Sequence, residues 1–438
     1  MTPVPDRVVL RLYQVGFGEV QLLSCFYAAP LPDGRAERHV LIDFGSTHRP
    51  KDAKADMMVR VAELIREHSG GVLDAIVVTH RHKDHLSGFA VDEAADIIAG
   101  LQPKLVVRPW TEDPALPRDA TAPLAADADP ERVFGVRLAA GQQLAGRIEA
   151  LVRGAHANSV SGRLLHAAAD QLPNAKAIRF LDDLAAATEG EYLHAGDSTK
   201  LEQLVPGIGV RVLGPPTIAE SDAVLRQRDR DPEEFWMLQL DAVDGLTPER
   251  LDTRAPKRPP DVPPGPVAWL VDRLARQQLG TLMRLVRTVD DALNNTSLIL
   301  LIDVGDRRLL LPGDAQIENW SWALREASDA AELRALLADV DLYKVGHHGS
   351  RNATPKSLFG LWTDGAADPQ RPMCAVMSTM ADVHGDTDAT AVPRATLVEA
   401  LSARMAVFAR TDTLEAGVPL VAVEAPTTGR VPFQQVTS

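Results

Sequence analysis

The segment HRHKDH at residues 80–85 limits what this chain can fold into more than any other part of its sequence. It follows directly on the apolar run GVLDAIVVT, which predicts a buried β-strand, so its polar side chains lie on the loop at a strand end. Imidazoles and carboxylates at this density suit two neighbouring cations, and catalytic zinc sites with an open position use the same ligands. We therefore expect His80, His82, Asp84 and His85 to bind metal.

The composition indicates a large globular chain and excludes several classes of protein. The 438 residues are 45% hydrophobic, which is enough for one large core with insertions. A net charge of −14 disfavours loose binding to nucleic acid, although a local basic patch can reverse the field inside one cleft. The two cysteines, Cys25 and Cys374, cannot build a disulfide framework and are expected to be buried. The chain shows no long apolar run and no secretory signal, so we expect a cytoplasmic protein without membrane contact.

Strand-like runs alternate with helical patterns along the chain, which predicts an α/β layered sandwich. We predict a single catalytic domain that spans residues 1–438. The predicted core covers about 8–90, 191–216 and 294–427. Two intervals, 91–190 and 217–293, are predicted to be large insertions of mainly helix and loop, the second with a proline-rich linker.

Acidic and histidine residues recur at the ends of later strand-like runs. Asp43 follows HVLI, Asp314 stands in LLLPGDA, and His347 and His348 stand in KVGHHGS. Together with HRHKDH, this order resembles the metallo-β-lactamase superfamily, whose fold is an αββα sandwich. The resemblance implies that Asp43 supports the metal loop, that Asp314 bridges two metals, and that the histidine pair supplies a late ligand.

Longer segments resemble one branch of that superfamily, the hydrolase domain of ComEC-type competence proteins. They are VVLRLYQVGFGEVQLLSC, LIDFGS, HRHKDHLSG, VRVLGPP, NNTSLILLIDVGDRRLLLPGDA and DLYKVGHHGSRNAT, about half of the chain, without the membrane channel of those proteins. The branch includes nucleases and phosphodiesterases. Its resemblance therefore implies phosphodiester hydrolysis.

The chain departs from the superfamily pattern at several positions. Most members have a histidine between the first motif and the bridging aspartate, whereas this branch typically lacks it. Here an Asn-Asn-x-Ser segment precedes the relevant strand, and the usual Gly-Asp near the N-terminus is Gly-Glu at 18–19. His156, His166 and His194 lie in the interval, but their surroundings do not predict strand ends, so we expect surface or core histidines.

The resemblance implies a dinuclear zinc centre, with manganese as the other candidate metal. The first ion would be held by His80, His82 and Asp314, and the second by Asp84, His85, Asp314 and His348. Asp84 and His347 are the predicted catalytic residues. His347 would face the substrate as an oxyanion stabiliser or a proton donor, or else act as a hydrogen-bond partner of a ligand. Asn295 and Ser297 are predicted to support the ligands or to orient a phosphate.

The leading interpretation is a hydrolase that uses a zinc-bound hydroxide, most simply a phosphodiesterase or nuclease acting on nucleic acid or a nucleotide. A basic stretch at 254–287 favours it, and the low aromatic content of 5% opposes it. The metal motif does not separate phosphorus from carbon electrophiles, so a carboxylic ester, lactone, thioester or β-lactam stays open as the substrate. A third alternative is a partner-binding module that keeps its metal site and binds a protein through the insertions.

Overall fold

The computed structural model describes residues 2–115, 175–217, 220–221, 234, 294–352, 354–363, 372–381, 383 and 391–436. Their strands are β1 (Arg7–Tyr13), β2 (Phe17–Phe26), β3 (Glu37–His48), β4 (Ala75–Val77), β5 (Leu105–Pro109), β6 (Gly190–Leu193), β7 (Ile208–Gly214), β8 (Ile299–Val304), β9 (Arg307–Leu311), β10 (Leu342–Lys344), β11 (Cys374–Met377), β12 (Val407–Arg410), β13 (Leu420–Pro426) and β14 (Gln434–Val436).

The helices of the same residues are α1 (Met57–His68), α2 (Lys83–Leu86), α3 (Asp92–Gly100), α4 (Ala175–Ala187), α5 (Leu201–Leu204), α6 (Ile317–Ser321), α7 (Ala330–Ala338), α8 (Lys356–Thr363) and α9 (Ala395–Arg404). A π-helical turn, Trp322–Glu326, continues α6. None of these helices is both long enough and apolar enough to cross a membrane.

The strands build two mixed sheets. The first has eight strands in the order β14-β13-β1-β2-β3-β4-β5-β6, and the second has six in the order β12-β11-β10-β9-β8-β7. Strands β3 to β6 run parallel to one another, as do β9 to β12. Because parallel strands end at the same edge of a sheet, each sheet gathers several strand-end loops at one edge.

Three apolar clusters define the layers. Alternate residues of both sheets, among them Ile42 in β3 and Leu300 in β8, pack against each other between the sheets. The opposite face of the first sheet, which includes Leu41, packs on α1, α3 and α4. The opposite face of the second sheet, which includes Leu301, packs on helices α6 to α9. The fold is therefore α/β, with two facing sheets between two helical layers.

The first predicted insertion contributes to this sandwich at both of its described ends. Within 91–190, the run LVVRP forms β5, which is fully buried and pairs in parallel with β4 and β6. Five residues are too few for periodicity to separate a buried strand from a helix, so the sequence did not reveal β5. Residues 116–174, with His156 and His166, lie outside the described residues.

Glu234, which lies in the second predicted insertion, contacts the helices beside the second sheet. Of residues 222–293 the structure describes Glu234, and the basic stretch at 254–287 lies outside the described residues. The Glu234 carboxylate accepts the backbone N–H of Ser357 at 2.9 Å, at the start of α8, and pairs with Arg325. The contact anchors this point of the interval on the sandwich.

Both cysteines are buried, as predicted from the sequence. Cys25 in β2 and Cys374 in β11 belong to the cluster between the sheets. Burial raises the pKa of each thiol to about 12. Neither cysteine is therefore a thiolate at neutral pH, and both act as small apolar side chains.

His39 gives the fold a defined pH dependence. Burial, with Arg35 and Arg11 nearby, lowers the pKa of this β3 residue to about 3. The unfolded chain binds a proton on His39 as the pH falls below about 6.5, whereas the folded chain does not, so stability is lost on acidification. Between about pH 7.5 and pH 5.5, we expect His39→Leu to lose about 1 kcal/mol less unfolding free energy than the wild type.

Urea unfolding at the two pH values measures this difference. His48→Leu is the matched control, because His48 lies in the same strand and is exposed. The prediction fails if the wild type and His39→Leu lose equal stability between the two pH values.

Candidate metal centre

The candidate centre lies where strand-end loops of the two sheets meet. The first sheet contributes the loop after β4 and helix α2, and the second contributes the loops after β9 and β10. Two contacts join them. The His85 Nε2 atom lies 3.1 Å from Asp314 Oδ2, and the His348 Nε2 atom lies 2.9 Å from Asp84 Oδ2. Four residues predicted as ligands of one metal ion are thus brought together from both sheets.

These four residues form a group that could hold a metal ion. One ligand atom from each of Asp84, His85, Asp314 and His348 lies within 4.8 Å of every other. His85, Asp314 and His348 are buried. The buried His85 Nε2 atom has no hydrogen-bond partner among the described residues. A buried nitrogen that faces two carboxylates without hydrogen-bonding to either fits a position that a cation completes.

A buried carboxylate at Asp43 fixes the orientation of this group. Its Oδ1 atom accepts the backbone N–H of Thr79 at 2.7 Å, and its Oδ2 atom accepts the Thr79 hydroxyl at 2.7 Å and His85 Nδ1 at 2.7 Å. Because the Thr79 hydroxyl donates its proton to Asp43, it accepts one from His80 Nδ1, 3.2 Å away. His80 and His85 therefore carry their protons on Nδ1 and turn Nε2 inward.

His348 is oriented in the same way from the second sheet. Its Nδ1 atom lies 3.0 Å from the backbone oxygen of Ser378, which can only accept a hydrogen bond. Nδ1 therefore carries a proton, while Nε2 faces the Asp84 carboxylate, which also can only accept, so that a second proton or a metal ion must lie between them. Anchoring one ring nitrogen on an acceptor while the other faces the site is the usual arrangement of metal-binding histidines.

The other two predicted ligands lie next to this group. The His80 Nε2 atom is 3.0 Å from His82 Nδ1, and both residues are buried. Two nitrogen ligands of one tetrahedral zinc lie about 3.3 Å apart, so this pair fits one ion. A donor set of nitrogen and oxygen without cysteine suits zinc or manganese.

The pKa shifts at the centre indicate that its carboxylates need neighbouring positive charge. Burial opposes a charge on His85, but the neighbouring carboxylates, first of all Asp314, raise its pKa well above the ordinary value. Burial likewise opposes a charge on Asp314, but His85 and the other histidines hold its pKa well below the ordinary value. Burial lowers the pKa of His80, which stays neutral. The centre is thus an array of acceptors that protons or metal ions must neutralise.

His347 takes a different place from its neighbour. It is half-buried, and its backbone N–H donates to Asp314 Oδ1 at 2.9 Å. His347 Nδ1 lies 3.0 Å from the Ser350 hydroxyl oxygen and 3.4 Å from the Gln316 amide nitrogen. Burial lowers the pKa of His347 to about 4, so the ring is neutral near pH 7.

The backbone is strained at the residues that turn into the centre. Asp43, His347 and His348 have φ values of 55°, 43° and 51°, in the left-handed region that side chains other than glycine rarely adopt. Each costs about 1–2 kcal/mol. Such strain persists where surrounding contacts fix the residue, as the hydrogen bonds of Asp43 do here.

The sequence did not reveal several residues that contact the centre. Lys344 in β10 and Glu19 in β2 are fully buried and form an ion pair of 2.5 Å that joins the two sheets. The Gly-Glu at 18–19 was a signal, because it replaces the expected Gly-Asp. Thr79 and Ser378 had no signal, since a lone hydroxyl or backbone carbonyl after a strand is ordinary.

The predicted support residues differ in what they contact. The Ser297 hydroxyl accepts the backbone N–H of Asp314 at 3.3 Å, which agrees with a supporting role. Asn295 is fully buried, and neither of its amide atoms has a hydrogen-bond partner among the described residues. The Asn294 side chain lies beside the His82 ring, close enough to act on its pKa, and its buried Oδ1 atom likewise has no hydrogen-bond partner among the described residues. His194 directly follows β6, a strand end that the sequence did not indicate, and its Nδ1 atom pairs with Asp197.

No model of a known protein family matches the chain, and no curated protein matches its sequence. The class of site therefore follows from geometry: an Asp/His cluster that could hold a metal ion, at the edge of an α/β sandwich.

Gly45 allows α2 to reach the centre. A Cβ at this position of β3 would lie 2.5–2.7 Å from backbone atoms of Asp84, His85 and Leu86. We expect Gly45→Ala to displace α2 and to weaken metal binding by about 10- to 100-fold, as for the loss of other supporting contacts. Metal titration followed by calorimetry measures the affinity.

Gly100→Ala is the matched control, since a Cβ at this helical position meets nothing within 4 Å. It should bind metal as the wild type does. Equal affinity in Gly45→Ala and Gly100→Ala would contradict the role assigned to the close approach of α2.

Proposed function

We propose that this chain is a metal-dependent hydrolase with a dinuclear zinc centre in a metallo-β-lactamase fold, most simply a phosphodiesterase acting on nucleic acid or a nucleotide. One observation carries the proposal. His80, His85 and His348 each donate Nδ1–H to a fixed acceptor, and their Nε2 atoms face other residues of the cluster: His82 Nδ1 for His80, Asp314 for His85 and Asp84 for His348. Such an array of buried acceptors is the arrangement that a metal centre requires.

The proposed ligands divide into two groups that share Asp314. His80 and His82, whose ring nitrogens lie 3.0 Å apart, would hold the first ion together with Asp314. The second ion would be held by the remaining group, Asp84, His85, Asp314 and His348. Manganese is the other candidate metal, because the nitrogen and oxygen donors suit it as well.

The metal pair, when bound, would activate a water molecule and stabilise charge that develops on the electrophile. The chain itself supplies orientation and proton transfer. Asp84 would hold its ion from the half-buried side of the cluster, with His348 against its Oδ2 atom. His347, which is half-buried and whose backbone N–H donates to Asp314, would face the substrate as an oxyanion stabiliser or a proton donor.

The surroundings of His82 favour an anionic substrate. Arg81 and Lys83 flank it in the chain, and the Arg81 side chain is 28% exposed. The buried carboxylate of Glu112 lies 3.7 Å from Arg81 Nε, and the backbone oxygen of Thr111 accepts a hydrogen bond from Arg81 at 3.3 Å. A partly exposed guanidinium on the loop that carries the proposed ligands suits a phosphate better than a neutral ester.

Metal content and a substrate panel test the proposal together. We expect two zinc or manganese ions per chain by elemental analysis, and turnover of bis-nitrophenyl phosphate or single-stranded DNA. Asp314→Asn should lower both metal content and turnover, by at least about 100-fold for the latter, because it removes the shared charged ligand. Gly100→Ala serves as the control with unchanged surroundings of the centre.

The outcomes separate the candidate functions. The proposal is wrong if the purified wild-type protein contains no stoichiometric transition metal. Turnover of a β-lactam or lactone without phosphodiester turnover would favour a carbon electrophile at the same centre. Metal binding without any turnover, with a co-purifying protein, would favour a partner-binding module.

His347 can be separated from the ligands by its effect on kinetics. We expect His347→Gln to retain the metal content of the wild type and to lower kcat by about 100-fold or more, since it removes a proton-transfer group but no proposed ligand. Steady-state kinetics together with elemental analysis measure both quantities. A loss of metal in His347→Gln would instead assign the residue to the ligands.

A further inference from the structure

His82 faces the centre with a different ring atom from the other histidines. His80, His85 and His348 have Nδ1 on a structural acceptor and Nε2 inward. In His82, Nδ1 is the atom that faces His80 Nε2, at 3.0 Å. For His82 to offer a lone pair from Nδ1, its proton must lie on Nε2, and that N–H needs an acceptor in a buried environment.

Asn294 stands where such an acceptor is needed. The backbone N–H of Leu298 donates to the backbone carbonyl oxygen of Thr79 at 3.0 Å. This hydrogen bond brings residues 294–298 beside the loop that follows β4. The backbone N–H of Ser297 donates to the backbone carbonyl oxygen of Asn294 at 3.0 Å, which closes a turn. The Asn294 side chain is 2% exposed and lies close enough to the His82 ring to act on its pKa. Its buried Oδ1 atom has no hydrogen-bond partner among the described residues.

We propose that Asn294 is a positioning residue of the first metal site: its Oδ1 atom accepts the Nε2–H of His82 and so directs the Nδ1 lone pair of His82 towards the ion. The inference rests on the proposed dinuclear function. It assigns Asn294 the task for His82 that Asp43 has for His85, with the two ring nitrogens exchanged.

Orientation of His82 by Asn294 matters for the first proposed metal site, because that site has few ligands. Its proposed protein ligands are two imidazoles and the shared Asp314, whereas the second site has two carboxylates and two imidazoles. Rotation of the His82 ring by 180° about Cβ–Cγ would replace Nδ1 by a carbon atom. Without an acceptor for Nε2–H, that rotation and the other tautomer become accessible, and the first ion loses one of three ligands.

Two variants of Asn294 test the inference through metal stoichiometry. Asn294→Leu removes the acceptor at similar volume, and Asn294→Asp keeps an oxygen at the same place. We expect two ions per chain in the wild type and in Asn294→Asp, and one tightly bound ion in Asn294→Leu. The affinity for the other ion should fall by about 10- to 100-fold. Elemental analysis after dialysis and titration with Co²⁺, followed by its visible spectrum, give both quantities.

The failure of this inference is distinguishable from failure of the proposed function. Two tightly bound ions in both Asn294→Leu and the wild type overturn the role of Asn294 and leave the hydrolase proposal standing. If the wild type binds no metal, both the role of Asn294 and the proposed hydrolase function are wrong.

Ring protonation gives a second measurement that does not depend on a variant folding. Long-range ¹H–¹⁵N spectra of the histidine-labelled, zinc-loaded protein report which ring nitrogen carries the proton. We expect Nε2–H for His82 and Nδ1–H for His80, His85 and His348. Nδ1–H at His82 would overturn the inference even if Asn294→Leu does not fold.

Discussion

The arrangement of the centre depends first on the buried carboxylate of Asp43. It accepts three hydrogen bonds of 2.7 Å, two from Thr79 and one from His85, and these join β3, the end of β4 and α2. Because Asp43 accepts the hydroxyl proton of Thr79, the Thr79 oxygen accepts a hydrogen bond from His80 Nδ1, and this sets the tautomer of His80. A single carboxylate thus fixes two imidazoles, although it has no place among the proposed ligands. Asp43 has a left-handed backbone conformation, so its hydrogen bonds offset a local conformational strain.

The centre also depends on the way the two sheets are held together. The HRHKDH loop belongs to the first sheet, whereas Asp314 and His348 belong to the second. The apolar cluster between the sheets sets their separation, and the ion pair of Glu19 with Lys344 crosses the gap in a fully buried place. A buried ion pair is weak evidence for stability, but it holds one relative position of the strands that carry it. The same register brings the ligands into one group.

The sequence indicated which residues would gather at the candidate centre better than the contacts that orient them. The α/β layers followed from alternating patterns, and Asp84, His85, Asp314 and His348 form a cluster that could hold a metal ion. Strand β5 was missed because five buried residues carry no distinctive period. The anchors at Thr79 and Ser378, and the Lys344 pair, were missed because each depends on a contact across strands or sheets. Residue type alone does not predict such contacts, since a serine or lysine after a strand is commonly an exposed turn residue.

The two proposed metal sites differ in how much of their geometry comes from backbone and carboxylates. In the second, His85 and His348 are held by a carboxylate and a backbone carbonyl, and both face carboxylates. In the first, the Thr79 hydroxyl holds His80, and the acceptor proposed for His82 is an amide oxygen. Neutral acceptors orient a ring less firmly than charged ones, and two imidazoles bring no negative charge of their own. Of the two proposed ions, the first should therefore be bound more weakly.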